Sequence, residues 1–122
     1  MYYHQLYREK HSFQQIKNET DNIKLKHPNR VPILISVSQN DKSLFNLITN
    51  HKYMIPKDMT FTEFIQIIRN RIHLDQNEAL FAILSEQNIM PKMSSLVGDL
   101  YEKYKSNDGY LVIILTKENT FG

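Results

Sequence analysis

Residues able to carry chemistry are few in this chain and widely spaced. Five histidines, His4, His11, His27, His51 and His73, occur without an i, i+4 pair or a carboxylate framework beside them, so no metal site is expected. Cysteine is absent, which removes thiol nucleophiles, disulfides and cysteine-rich zinc sites and fits a reducing compartment. No serine sits in a Gly-x-Ser-x-Gly elbow and no glycine-rich loop follows a strand-like run, so hydrolase and phosphate-cradle chemistry lack their geometric parts. Asp75 and Glu78 flank a polar stretch where solvation and capping account for them. This set nominates neither a cofactor nor an enzymatic turnover.

Two features remain. The chain closes on Glu118-Asn119-Thr120-Phe121-Gly122, a polar run ending in glycine. Without a Cβ, a terminal glycine presents the least hindered carboxylate, able to pass a narrow channel, be adenylated and move through a thioester to an amine. The second feature is the set Lys52, Tyr53, Met54, Ile55, Pro56, Met59, Phe64 and Ile67. Strand alternation sends Tyr53 and Ile55 to one face and Lys52 and Met54 to the other, so these residues cannot share one core. Ordinary packing beneath an N-terminal segment and a peptide groove at a strand edge both fit that pattern.

The elements that must position these residues follow from spacing. Ser12 with Gln15 forms a capping box before a short helix over 13–18, and Thr20 caps a second over 21–27 that Pro28 stops. Val31 to Val37 reads as a strand covered on both faces. The polar stretch 38–50 reads as a long loop to a second strand over 52–55, closed by Pro56. Thr60 with Glu63 is another capping box, and Phe61, Phe64, Ile65, Ile68 and Ile72 recur at helical spacing. A strand over 79–84, a turn at 86–88, a short strand at Ile89-Met90, a helix carrying Leu96, Val97, Leu100, Tyr101 and Tyr104, and a final strand over 110–115 complete the order. The class is α+β, and the order suits a β-grasp sheet: a hairpin crossed by a helix, with the last strand returning to the centre.

At 122 residues with 41% hydrophobic and 23% charged residues, one compact unit is expected, read as an N-terminal helical extension (1–28) and a second part (29–122). The longest apolar runs are strand-sized, far below the ~20 residues that cross a bilayer, and the first ten residues have no secretory pattern. Net charge is +2, too little to imply nucleic acid, although residues 1–30 hold six Lys/Arg against three Asp/Glu. That excess reads as a solvated helical face or as a docking face for acidic partners or lipid headgroups.

Several stretches together resemble the autophagy-related ubiquitin-like modifiers, the GABARAP and light chain 3 family. They are His27-Pro28-Asn29-Arg30-Val31-Pro32-Ile33, Lys52-Tyr53-Met54-Ile55-Pro56-Lys57-Asp58-Met59-Thr60, Ile68-Arg69-Asn70-Arg71-Ile72-His73-Leu74, and Asp108-Gly109-Tyr110-Leu111 through Gly122. The likeness runs from about Tyr7 to the end. It implies a ubiquitin-like β-grasp fold with two additional N-terminal helices. It also implies coupling of Gly122, by activating and conjugating enzymes, to phosphatidylethanolamine on autophagosomal membranes, with a cysteine protease processing or deconjugating it. The protein would then be cytoplasmic and peripheral on membranes through that lipid.

The resemblance further implies binding of cargo receptors and adaptors through aromatic-x-x-aliphatic peptides. By motif position, an aromatic pocket would use Glu19, Ile23, Pro32, Leu34, Lys52, Met54 and Tyr110. An aliphatic pocket would use Tyr53, Ile55, Pro56, Met59, Phe64 and Ile67, with Arg71 nearby, and Arg30 and Lys52 would attract acidic flanks. A surface around Leu80, Phe81 and Ile83 binds helical motifs in some members; core packing is its reading here. The chain departs from the pattern at His11-Ser12-Phe13, in a longer 36–50 segment, and at Asn50 and His51, which stand where lysines are usual. Two alternatives stay beside this reading: a modifier joined to a protein lysine, as in the autophagy-related protein 12 family, and a non-conjugated adaptor whose terminal glycine is idle.

Overall fold

The computed structural model describes residues 1–84 and 87–117. In chain order its elements are α1 (Tyr3–Lys10), α2 (Phe13–Lys26), β1 (Arg30–Ser36), α3 (Lys42–Leu47), β2 (Lys52–Pro56), α4 (Phe61–Ile72), β3 (Phe81–Leu84), α5 (Val97–Tyr104) and β4 (Leu111–Thr116). The strands form one sheet in the order β2-β1-β4-β3. β1 runs parallel to β4, and the outer pairs are antiparallel. This is the β-grasp arrangement to which the element order pointed.

The central strands are apolar almost without interruption because both of their faces are covered. Val31, Ile33, Ile35, Leu111, Ile113 and Leu115 meet Phe61, Phe64, Ile68 and Tyr101 of α4 and α5 in the larger core. Leu34 and Val112 turn the other way and pack with Tyr7 of α1, Ile16 of α2 and Tyr110. α4 begins at the reciprocal cap between Thr60 and Glu63 and ends at His73 in a left-handed conformation (φ 55°). Arg69 and Arg71 in its last turn suit the negative end of the helix dipole.

The N-terminal part departs from the expectation. One helix, α2, replaces the two short ones, and Thr20 caps nothing. Its side chain is buried inside the helix, donating both to the Lys17 carbonyl (3.1 Å) and to the Asp108 carbonyl (2.7 Å). A buried partner on another element thus overrides the preference of threonine for a helix start. The Ser12–Gln15 capping box is present and opens α2. The second extension helix is α1, which precedes it. Its amide at Tyr3 bonds to Val37, and the His4 side chain meets the Ser36 hydroxyl (2.7 Å).

Within 38–50 the chain forms α3, capped by the Asp41 carboxylate on Leu44 N–H (3.2 Å). Six residues do not hold a helix in isolation. Leu44 is fully buried, and about 1.5–3 kcal/mol from burying a leucine offsets that cost. β3 starts at Phe81 rather than 79, and the short strand at Ile89 is a single bridge to Leu84.

Candidate functional site

β2 lies at the edge of the sheet with β1 on one side. Two backbone bonds at opposite ends of this pair, Ile35 N–H to the His51 carbonyl (2.7 Å) and Lys57 N–H to the Asn29 carbonyl (2.9 Å), fix its alternation. Since Tyr53 pairs with Ile33 and Ile55 with Val31, residues 51, 53 and 55 bond towards β1. Lys52 and Met54 therefore turn their backbone groups outwards, where a further strand could be added.

The face under the extension carries Lys52 and Met54, opposite Leu34 and Pro32. Lys52 Nζ lies 2.7 Å from Glu19 Oε1, and the Tyr7 hydroxyl donates to Glu19 Oε2 (2.6 Å). The lysine also stands over the Tyr7 ring at 4.6 Å. Partial burial pushes the Glu19 carboxyl up, but the bonds from Lys52 and Tyr7 and the nearby Tyr110 hydroxyl outweigh it and hold the group below its ordinary value. Burial pulls the Lys52 ammonium down, and Glu19 and Tyr7 more than restore it. Burial raises the Tyr7 and Tyr110 hydroxyls. Tyr110 feels the Glu19 charge, yet its buried hydroxyl completes no hydrogen bond of good geometry. With Lys52 and Glu19 partly exposed, the ion pair is worth about 0.2–1 kcal/mol, so a ligand can open it. Ile23 is half-buried on α2, one turn beyond Glu19, while Leu34 and Tyr110 are buried beneath.

On the opposite face Tyr53 packs edge-on against Phe64 (5.7 Å), and Arg71 lies 5.4 Å over the Tyr53 ring. A recess of about 290 Å³ opens here between Leu47, Ile48, Tyr53, Ile68, Arg71 and Ile72. Tyr53 and Arg71 are the residues the sequence placed here. Phe64 and Ile55 are buried and support the wall from below, while Pro56, Met59 and Ile67 are half-buried. Arg30 is exposed and its guanidinium donates to the Met54 carbonyl (3.1 Å). Leu47 and Ile48 were missed because α3 was read as loop; the apolar spacing of Leu44, Leu47 and Ile48 behind Asp41 was the available signal. Tyr7 was missed as well, although Tyr3 and Tyr7 stand one turn apart.

Another cleft, about 450 Å³, lies on the far flank of α1 among Arg8, His11, Phe13, Lys105 and Asp108. Its buried carboxylate, Asp108, is already paired with Arg8 (3.0 Å). Gly122 lies outside the described residues. Among the described residues no cluster of His, Asp and Glu could hold a metal, and no helix is long and apolar enough to cross a membrane.

The family model described as "Autophagy protein Atg8 ubiquitin like" matches residues 15–122. Autophagy-related protein 8 of Schizosaccharomyces pombe is 39% identical over 111 residues, covering 91% of this chain and 88% of that protein. Its counterpart in Mycosarcoma maydis is 34% identical over 116 residues, covering 95% of each. Among solved structures, Plasmodium falciparum Atg8 in complex with a P. falciparum Atg3 peptide is 31% identical with a TM-score of 0.78, over 92% of this chain and 95% of that one. The crystal structure of Trypanosoma brucei ATG8 is 27% identical with a TM-score of 0.75, over 95% and 97%. This chain, with its ubiquitin-like α+β fold, belongs to the Atg8 family of autophagy proteins.

Proposed function

We propose that this protein is a ubiquitin-like modifier whose Gly122 carboxylate is joined to the amine of phosphatidylethanolamine, and that β2 recruits cargo receptors and adaptors to the membrane so marked. Activation by ATP gives a glycyl adenylate and releases diphosphate. An enzyme thiol displaces AMP to form a thioester, and the lipid amine displaces the thiol to form an amide. In this reading the lipid supplies the membrane attachment on autophagosomes, and activating and conjugating enzymes and a deconjugating cysteine protease are its partners.

The observation that carries the reading is the open edge strand, with a recess beside Tyr53 on one face and exposed Met54 beside a weak, partly exposed ion pair on the other. An extended peptide placing an aromatic residue beside Lys52 and Met54, and an aliphatic one three positions later beside Tyr53 and Arg71, would use both faces at once. Limited area sets the affinity in the micromolar class, about −8 kcal/mol. The peptide bound to the P. falciparum relative supports short-peptide recognition in this family.

The test is reconstitution of the full chain with family activating and conjugating enzymes, ATP and phosphatidylethanolamine vesicles, read by intact mass. The wild type is expected to gain one lipid and Gly122→Ala none. Tyr53→Ala is expected to bind an aromatic-x-x-aliphatic peptide about ten-fold more weakly. A wild type that stays unmodified, with a free carboxylate also in starved cells, would favour the non-conjugated adaptor. A lysine-linked product would favour a protein modifier.

A further inference from the structure

The outward groups of β2 are not equally available. Asn50 Oδ1 accepts the Lys52 N–H (3.3 Å), and the Arg30 guanidinium donates to the Met54 carbonyl (3.1 Å). Pro56 has no N–H to offer, and its carbonyl already accepts from Met59 (3.1 Å). Among the described residues this leaves the Lys52 carbonyl and the Met54 N–H open, the two groups that flank Tyr53.

We propose that Asn50 and Arg30 are edge caps that set the register of a peptide strand added to β2, an inference that rests on the groove reading above. In parallel pairing, one residue bonds to the carbonyl before and the N–H after the residue it faces. A peptide residue opposite Tyr53 can therefore complete both bonds without disturbing either cap. Its neighbours two positions away cannot, because the Lys52 N–H and the Met54 carbonyl are taken. An antiparallel strand exchanges both of its bonds with a single residue. At either Lys52 or Met54 it finds one of the two groups covered and must break a cap. The caps thus blunt an exposed edge against indiscriminate strand pairing and concentrate main-chain recognition at one position between the two faces. Specificity then falls to the side chains that reach the two faces.

Removing a cap should reward a longer peptide. In Asn50→Ala the Lys52 N–H becomes available to the peptide residue two positions before the one facing Tyr53. Calorimetric titration would use two end-capped peptides without acidic residues. The shorter begins at the aromatic residue just before the one facing Tyr53, built without its amino group so that no carbonyl reaches the Lys52 N–H, and the longer extends one residue further towards its N-terminus. The affinity of the extended peptide relative to the short one is expected to rise about two- to ten-fold in Asn50→Ala, the effect of one additional net hydrogen bond. Arg30→Ala should give the same gain for a peptide with a free N–H at its aliphatic residue over its N-methylated form, and the neutral sequence keeps the lost charge out of the comparison. Unchanged or lowered ratios in both variants overturn the caps while leaving the groove intact. Failure of either peptide to bind the wild type overturns the groove reading itself.

Discussion

His51 joins the edge strand to the extension through one ring. It stacks face to face on Tyr3 of α1, 3.4 Å between centroids and 5° from parallel, with Phe45 of α3 tilted 6.4 Å away. Its Nδ1 meets the Ile35 carbonyl at 2.8 Å, so that nitrogen carries the proton and Nε2 is left to titrate. Burial lowers its pKa below 6.5, and bonds to the Ile35 and Ile48 carbonyls offset this only partly. The unfolded chain therefore binds the proton first, and stability falls as pH drops from about 6.5 through the folded value. Lys52 and Glu19 act in other windows. Lys52, raised by Glu19, contributes fully below 10.5 and loses that contribution as pH rises beyond it. Glu19, held low, contributes above 4.5 and loses that contribution as pH falls further. Urea unfolding at pH 7.5 and 5.5 should show a drop that shrinks in His51→Phe, which keeps a stacking ring but cannot titrate. An equal drop in both would remove His51 from the account. None of this was legible from the sequence, where His51 stood as one of five scattered imidazoles and as a replacement for a usual lysine.

At the scale of elements, the pattern was readable where burial is strong and periodic. β1, α4 and β4 followed from apolar spacing and from the Thr60–Glu63 cap, and the β2 alternation anticipated that its residues would divide between two faces. α1 was not readable, and α3 left only the spacing of Leu44, Leu47 and Ile48 behind Asp41 as a signal. Tyr3, His4 and Tyr7 become a buried face only because β1 passes beneath them, and α3 depends on the burial of Leu44. α2 was divided in two because the partner of Thr20 lies 88 residues away. That partner is the Asp108-Gly109 turn, which also accepts the Tyr101 hydroxyl at the Gly109 carbonyl (2.6 Å). Gly109 has φ +98°, and an added Cβ would run into the Thr20 side chain. Gly109→Ala thus meets backbone strain and a clash together and should cost more than about 1 kcal/mol. The measurement is a urea midpoint against the wild type. An unchanged midpoint would show that the turn relaxes freely and does not lock α2 to the sheet.

For the whole molecule, the question is whether residues 1–28 are an appendage or part of one folding unit. The covered sheet argues for one unit. Leu34, Tyr110 and Val112 on the second face are almost fully buried, and Tyr7 and Ile16 complete that core. Uncovering them would expose an apolar surface that small soluble domains avoid. Polar ties run in parallel, from Arg8 to Asp108, Thr20 to Asp108 and Glu19 to Lys52. The same contacts build one wall of the candidate groove, so loosening the extension should weaken peptide binding as well as stability. Ile16, 2% exposed at the centre of this layer, tests the coupling. Ile16→Ala should cost about 2–5 kcal/mol and lower the melting temperature by roughly 10 °C. Helical signal in the far ultraviolet and tyrosine signal in the near ultraviolet should then fall in one coincident transition. If the variant instead melts in two steps, with the tyrosine signal of the main core surviving the first, the extension folds separately and the groove is assembled by docking rather than by folding.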